Sequence, residues 1–416
     1  MPLASLAARG YGIHRQVVLV HAHTLENAIF KLKLSTQVSA EAYRHCKQFP
    51  IYGTGQGSGN SPVIWCFVSS KLFQCYENKA HGMTFYTPDG SISFSMAIIG
   101  FVDDTTCITE GDPSKPLVDM LTRMQDDAQL WNDLLWSSGG ALELPKCGYH
   151  TIYYTFDDSG IPRMTHHHDH QVTIQSSTGE AIPICQKNIF TPRKNLGHLK
   201  SPAGTYQAQF NVILSKATGI VDSIVSSGAT RKEARMFYES VYRPAVEYTL
   251  PQSFLSQKQL RTISQKTMPR IYARCGYNRN TARAILQGPT DLGGGGFIPL
   301  NTVAGAGYVS HFLKFFRSPQ EDAGKLIRIT LAWTQYQSGM PYPILTQPWT
   351  PISYVDGRFY RFLMAYLESI NGSIQYTPTY TQPKLRERDQ AIMEIALDLD
   401  IFTVTQLRRI NCVRMY

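Results

Sequence analysis

At 416 residues, with 43% hydrophobic and 11% aromatic content, the chain has room for about two to three domains and enough apolar surface for true cores, which excludes global disorder. A net charge of +9 and a pI of about 9.0 point to an anionic partner. No apolar run approaches the length of a membrane span.

In chain order, Val17-Val18-Leu19-Val20 predicts a strand, and Leu25, Ala28, Ile29 and Leu32 recur at helical spacing over Thr24–Leu34. A glycine-rich loop, Ile51–Asn60, runs into Ser61-Pro62, a helix start with serine at the N-cap and proline at the first helical position. That helix is expected over Pro62–Asn78, apolar on most faces and buried. The apolar run Met96–Val102 ends in Asp103-Asp104, between flanks rich in β-branched and aromatic residues, so the two acids are placed at the tip of a β-hairpin. Two unpaired carboxylates on a buried strand pair are costly unless something positive binds there. Elsewhere Asp-Asp pairs, as at Asp126-Asp127 and Asp157-Asp158, read as turns or solvated faces, and His166–His170 as an exposed polar loop.

Leu117–Leu135 has helical apolar spacing, with the Trp131–Trp136 region as core, and stops at Gly139-Gly140. Another strand leads through Leu144-Pro145-Lys146-Cys147 to Tyr154, and residues 157–185 read as an irregular hairpin insertion. From Thr205 the pattern is helical. Thr230–Glu233 forms a capping box, Ser256–Gln259 opens a further helix, and Pro244 should kink the first of these. A short helix over Asn280–Gln287 stops at Pro289. Leu292–Phe297 reads as a flexible junction, followed by helical stretches over 302–335 and 358–411.

Charge separates along the chain. Residues 101–150 carry 9 acids against 3 bases, and residues 186–285 carry 16 bases against 4 acids. An acidic site beside a basic arm suits an enzyme that meets nucleic acid, with metal at one place and phosphate at the other. The eight cysteines contain no CxxC pair and read as buried free thiols of a reducing compartment. The N-terminus has no signal-peptide layout. The expectation is a soluble intracellular protein of nucleus or cytoplasm, not secreted.

Three elements in order, Gly55–Pro62, Phe101–Asp104 and Leu144–Cys147, resemble motifs B, C and D of the reverse transcriptase palm. Asn195-Leu196-Gly197-His198 resembles motif E, the primer grip, of the non-LTR retrotransposon branch. Gly288–Pro299 is similar to the glycine-rich segment after the thumb in those elements. The resemblance covers about residues 45–300. It implies an α+β fold: a partial polymerase palm (an antiparallel sheet with packed helices) over 1–204, a basic helical thumb over 205–290, and an all-α C-terminal region over 291–416.

The family reaction is template-directed addition of dNTPs to a primer 3′-hydroxyl, with an RNA template and a DNA primer. By resemblance, Asp103 and Asp104 are the catalytic acids and hold Mg2+ at a two-ion site. Gln56, Gly57 and Ser61 lie near template and nucleotide, Lys146 acts as general acid or charge stabiliser at the pyrophosphate, and Leu196 and Gly197 form the primer grip. One departure matters. The palm takes a further aspartate from motif A, upstream of motif B, yet residues 1–55 hold only Glu26 and Glu41 as acids. The sequence reads as beginning after motif A, so this chain is expected to be inactive alone. The readings beside it are a non-catalytic nucleic-acid-binding remnant and an RNA-templated RNA polymerase.

Overall fold

The computed structural model describes residues 2–33, 35, 37–44, 46, 61–112, 114–158, 162–166, 171–176, 179–346, 355, 357–381, 391–399 and 401. The protein is mixed α/β, about 51% helical with small sheets, and it divides into two compact units, 1–84 with 95–188, and 85–94 with 189–416.

The first unit starts with α1 (Pro2–Gly10) and α2 (Arg15–Asn27), followed by β1 (Ile29–Phe30) paired with β2 (Tyr43–Arg44). Val17–Val20 is therefore helical, not the expected strand. His14 caps the helix by accepting from the Gln16 N–H at 3.3 Å. A few β-branched residues cost a helix only about half a kcal/mol each against alanine, too little to forbid it.

Next comes α3 (Ser61–Glu77), then β3 (Met83–Tyr86) paired with β4 (Ser93–Met96). β5 (Ile98–Phe101) pairs antiparallel with β6 (Asp104–Cys107), and α4 (Leu117–Ser137) follows. The core here is Val68, Leu72 and Tyr76 of α3, Ala97 and Ile98, and Trp131 of α4. Tyr76 meets Trp131 edge to face at 5.5 Å, an arrangement that suits the ring quadrupoles. Trp131 is thus core, as expected, whereas Trp136 at the end of the same helix is 59% exposed and not part of the core.

Residues 148–186, which include the insertion expected over 157–185, form paired short strands: β7 (Gly148–Tyr149), β8 (Tyr153–Phe156) with β9 (Pro162–Thr165), β10 (Thr173–Gln175) with β11 (Ala181–Pro183), and β12 (Cys185–Gln186), which runs parallel to β7. α4 binds the edge of β10 through side-chain amides. The Thr173 N–H donates to Gln125 Oε1 at 2.7 Å and the Gln175 N–H to Gln129 Oε1 at 2.8 Å. Residues four apart on a helix share a face, so two glutamines act there as a partner strand.

The second unit opens with the hairpin β13 (Arg193–Asn195) and β14 (His198–Lys200) and continues as helices α5 (Gln207–Ser226), α6 (Arg231–Phe237), α7 (Arg243–Glu247), α8 (Leu250–Ser253), α9 (Gln257–Arg274), α10 (Arg283–Gln287), α11 (Leu300–Phe316), α12 (Asp322–Ser338), α13 (Arg358–Ser369) and α14 (Ile392–Asp398). Both capping boxes form as the sequence predicts, at Thr230/Glu233 and Ser256/Gln259. Before Pro244 the helix widens into a π turn over Tyr238–Tyr242. Proline lacks an N–H and its ring crowds the carbonyl four residues back, and the wider turn accommodates it.

One core runs from Ile213, Ala217 and Val221 of α5, through Tyr238, Tyr242, Ile263 and Phe297, to Phe312, Tyr360 and Ala396, with no break near residue 290. Within the glycine-rich stretch, Gly294–Phe297 is packed and not a flexible junction, while Leu292 stands 84% exposed. The N–H groups of Gly294, Gly295 and Gly296 donate to the carbonyls of Pro289, Ile285 and Gly288 at 2.9, 2.7 and 2.8 Å. A Cβ on Gly294 or Gly295 would collide with that backbone, so glycine is what lets the chain fold back on itself. Phe297 closes the turn, fully buried, with the Arg235 guanidinium 4.5 Å above its ring. No helix among the described residues is long and apolar enough to cross a membrane.

Candidate functional site

The acidic pair lies where the sequence puts it, at the tip of β5–β6. Ile98 pairs with Cys107, Ile99 with Thr106, Gly100 with Thr105, and Phe101 with Asp104, leaving Val102-Asp103 as a two-residue turn. Val102 has φ +57°, and Asp103 is not among the left-handed residues. A positive φ at the first central position alone is the type II′ pattern, which ordinarily takes glycine there. Valine in the left-handed region costs about 1–2 kcal/mol, and a β-branched residue sits at the upper end. Such a residue persists only where its surroundings hold it.

α3 supplies the hold. The Trp65 indole N–H donates to the Val102 carbonyl. Eight residues further along α3, the tip of the Phe73 ring abuts Gly100, leaving no room for a Cβ. One contact fixes the turn and the other fixes the strand that feeds it. At the far end of the hairpin, Asp127 of α4 is 2% exposed. It accepts from the His81 N–H at 3.0 Å, the His81 Nδ1 at 3.0 Å and the Thr109 hydroxyl at 2.6 Å. Asp127 is therefore a buried anchor and not part of a solvated face, because its carboxylate meets donors from both chain segments flanking the hairpins. Asp157 of the other pair, half-buried, forms an ion pair with Arg163 at 3.1 Å.

Asp103 and Asp104 are both exposed, and among the described residues neither carboxylate makes an ion pair or hydrogen bond. The strand pair does not bury the two carboxylates, contrary to the expected desolvation cost, since water reaches both. Their fit to magnesium rests on donor chemistry instead. Two hard anionic oxygen donors side by side match an ion that takes one or two carboxylates and fills its octahedron with water and substrate phosphate. Among the described residues no three His, Cys, Asp or Glu side chains converge to hold a metal. The residues present thus fit magnesium that arrives with a phosphate, not a cage that binds the bare ion.

The other expected residues are less concentrated. Gln56 and Gly57 lie outside the described residues. Ser61 opens α3, half-buried, in the same helix as Trp65. Lys146 ends the 3-10 turn Leu144–Lys146 and is exposed. No hydrogen bond or ion pair among the described residues joins it to Asp103 or Asp104. Leu196 and Gly197 belong to the second unit. They form the turn of β13–β14 with φ +48° and +81°, the type I′ pattern. His198 beside them is 2% exposed, and burial, helped by the charge of Lys200, lowers its pKa to about 4. His166 is half-buried, and His167–His170 lie outside the described residues. The seven described cysteines are free as expected, but none is buried. Burial of the sulfur still raises the Cys107 thiol to about 11.

Trp65 and Phe73 carry the geometry and are not singled out by sequence, while the sequence reads Val102 only as the end of an apolar run and Asp127 only as a turn or solvated residue. Trp65 and Val102 are 37 positions apart, and no local pattern encodes such a bond. No protein-family model and no curated protein matches this chain.

Proposed function

We propose that the chain is reverse-transcriptase-like, comprising palm, thumb and C-terminal elements, and that it takes an RNA template, a DNA primer and dNTPs. The observation that carries this reading is the β5–β6 turn. A strained Val102, fixed by Trp65, presents two unpaired carboxylates to solvent on a rigid mount. Backbone strain held in place by its surroundings is a mark of functional sites.

In this reading Asp103 and Asp104 hold the magnesium–triphosphate. When bound, magnesium supplies charge neutralisation on the phosphates and acidification of the primer 3′-hydroxyl. Lys146 offers an exposed ammonium for the leaving pyrophosphate. The exposed arc of α9 supports the thumb assignment. Lys258, Arg261 and Lys266 stand there without ion-pair partners among the described residues, free to meet phosphates. With no aspartate in residues 1–55, the carboxylate set is short of a complete two-ion site, and this chain by itself is inactive.

The test has two parts. Mn2+, followed by its electron paramagnetic resonance signal, should bind in the presence of a dNTP and be lost in Asp103→Ala and Asp104→Ala. A labelled RNA–DNA template–primer should bind with steep salt dependence and show no primer extension. Failure of both metal–nucleotide and template–primer binding overturns the reading. Robust extension that disappears in Asp103→Ala overturns the inactive state. The excess of bases over residues 186–285 favours one second reading, a non-catalytic nucleic-acid-binding protein. Salt-dependent binding with no Mn2+–dNTP binding would select it.

A further inference from the structure

We propose that the outer edge of β8 pairs with β8 of a second copy of this chain, in a two-fold antiparallel contact centred on Tyr154. A contrast between two neighbouring hairpins carries this. Around β10–β11 the glutamines of α4 bond the edge of β10, and Val172, Ile174 and Ile184 are buried. The β8–β9 hairpin has neither cover. Among the described residues β8 pairs with β9 and with no other strand. Ile152, Tyr154 and Phe156 are 48%, 49% and 70% exposed. A two-stranded ribbon is marginal in water and gains stability from further strands.

The register sorts the residues of the hairpin by face. Tyr153 pairs with Thr165, Tyr154 with Met164 and Thr155 with Arg163. Successive residues of a strand point to opposite faces. Tyr154, Phe156 and Met164 therefore share an apolar face, and Ile152, just before β8, falls in the same alternation. Tyr153, Thr155, Arg163 and Thr165 share the other face, which is polar.

Charge decides which edge is open and what fits it. β9 starts with Pro162, which has no N–H to offer, and carries Arg163 in an ion pair with Asp157 at 3.1 Å. Proline and charge are the devices that keep a strand edge from pairing. Ile152–Phe156 has neither. It is an uncharged run of β-branched and aromatic residues, the kind of edge that recruits another strand. In a two-fold pair each edge meets its own sequence. Two β9 edges would bring the Arg163 charges of both copies together, which is unfavourable, whereas two β8 edges meet no charge at all.

The pleat then fixes the register. A slip of one residue would set apolar side chains beside polar ones, so the two-fold axis falls on a residue and not between two. On Tyr154 it opposes Ile152 to Phe156, Tyr153 to Thr155 and Tyr154 to its own copy, and the whole exposed run is used. Thr151, 1% exposed, ends that run on one side, and the ion-paired Asp157 ends it on the other. The outcome is a four-stranded sheet, β9-β8-β8-β9, with one continuous apolar face. An edge this short covers less than the roughly 1,200 Å² of a stable interface, so the dimer is weak and concentration-dependent.

Sedimentation equilibrium of the full chain, without nucleic acid and over about 1–100 μM, should show a monomer–dimer equilibrium. Tyr154→Lys sets like charges face to face at the axis and should weaken association at least about tenfold. Tyr154→Glu should do the same. An equimolar mixture of the two variants should recover the dimer, because lysine then faces glutamate. Thr165→Lys, on β9, should leave the equilibrium as it is. A wild-type chain that stays monomeric throughout overturns the proposal, and so does a Tyr154→Lys chain that dimerises as well as wild type. If the mixture fails to recover the dimer, or Thr165→Lys weakens it as much as Tyr154→Lys, the contact is not a β8 pair centred on Tyr154.

Discussion

Asp127→Ala removes the anchor at the base of the acidic hairpin. The carboxylate is 2% exposed and accepts three hydrogen bonds, at 3.0, 3.0 and 2.6 Å. Bonds to a charged group contribute roughly 1.5–3 kcal/mol each. Two considerations bring the total below their sum. Deleting the acid also deletes its own desolvation cost, and His81, whose side chain is 38% exposed, can be rehydrated. The remaining cost is that of a buried N–H and a hydroxyl left unsatisfied, together with a small cavity, about 3–4 kcal/mol in all. Asp127→Asn keeps the volume and one acceptor and should cost about 1–2 kcal/mol. Urea denaturation read by tryptophan emission, with hydrogen exchange to localise the loss, measures both. At an m-value of about 2 kcal/mol/M, the alanine variant's midpoint falls by roughly 1.5–2 M and the amides of 95–109 lose protection. A shift within about 0.5 kcal/mol, the range of an ordinary surface substitution, would refute the anchoring role and restore the solvated-face reading.

Two further predictions concern the turns. Trp65→Phe removes the donor to the Val102 carbonyl while keeping an aromatic ring on α3, at a cost of about 1 kcal/mol. Amide exchange over Gly100–Thr106 should then accelerate about fivefold, and unchanged exchange would show that the bond holds nothing. His198 gives the second unit a pH dependence. Its folded pKa of about 4 lies below the ordinary 6.5, so below pH 6.5 the unfolded chain takes up a proton that the folded chain refuses. Its contribution is fully present above pH 6.5 and is lost progressively as pH falls toward 4, about 3 kcal/mol over that window. His198→Gln should flatten this slope in urea midpoints measured from pH 7 to 4, and an unaltered slope would place the titration elsewhere.

Much of the architecture is written locally. Thr230 with Glu233, and Ser256 with Gln259, satisfy helix ends within three residues, and such reciprocal bonds form wherever those residues meet a helix start. The β5–β6 hairpin is equally local, since its partners lie at most nine positions apart and β-branched flanks favour it. The sequence by itself therefore determined where Asp103 and Asp104 stand, the helical character beyond residue 205, and the separation of acidic from basic segments.

Other features needed the whole chain. Val17–Val20 is helical because strand propensity is worth only tenths of a kcal/mol per residue and yields to context. Asp127 differs from Asp126 only in which way α4 turns it, and that direction is set by packing against partners dozens of residues away. Four glycines look flexible in sequence, but three of them, Gly294, Gly295 and Gly296, fold back onto carbonyls at 285–289, and the turn is closed by Phe297 buried beneath Arg235. The acidic pair itself can be read from a few consecutive residues. That it rides on a strained turn held by Trp65, with its base fastened by Asp127, follows from contacts between elements far apart in the chain, and only the tertiary structure decides those.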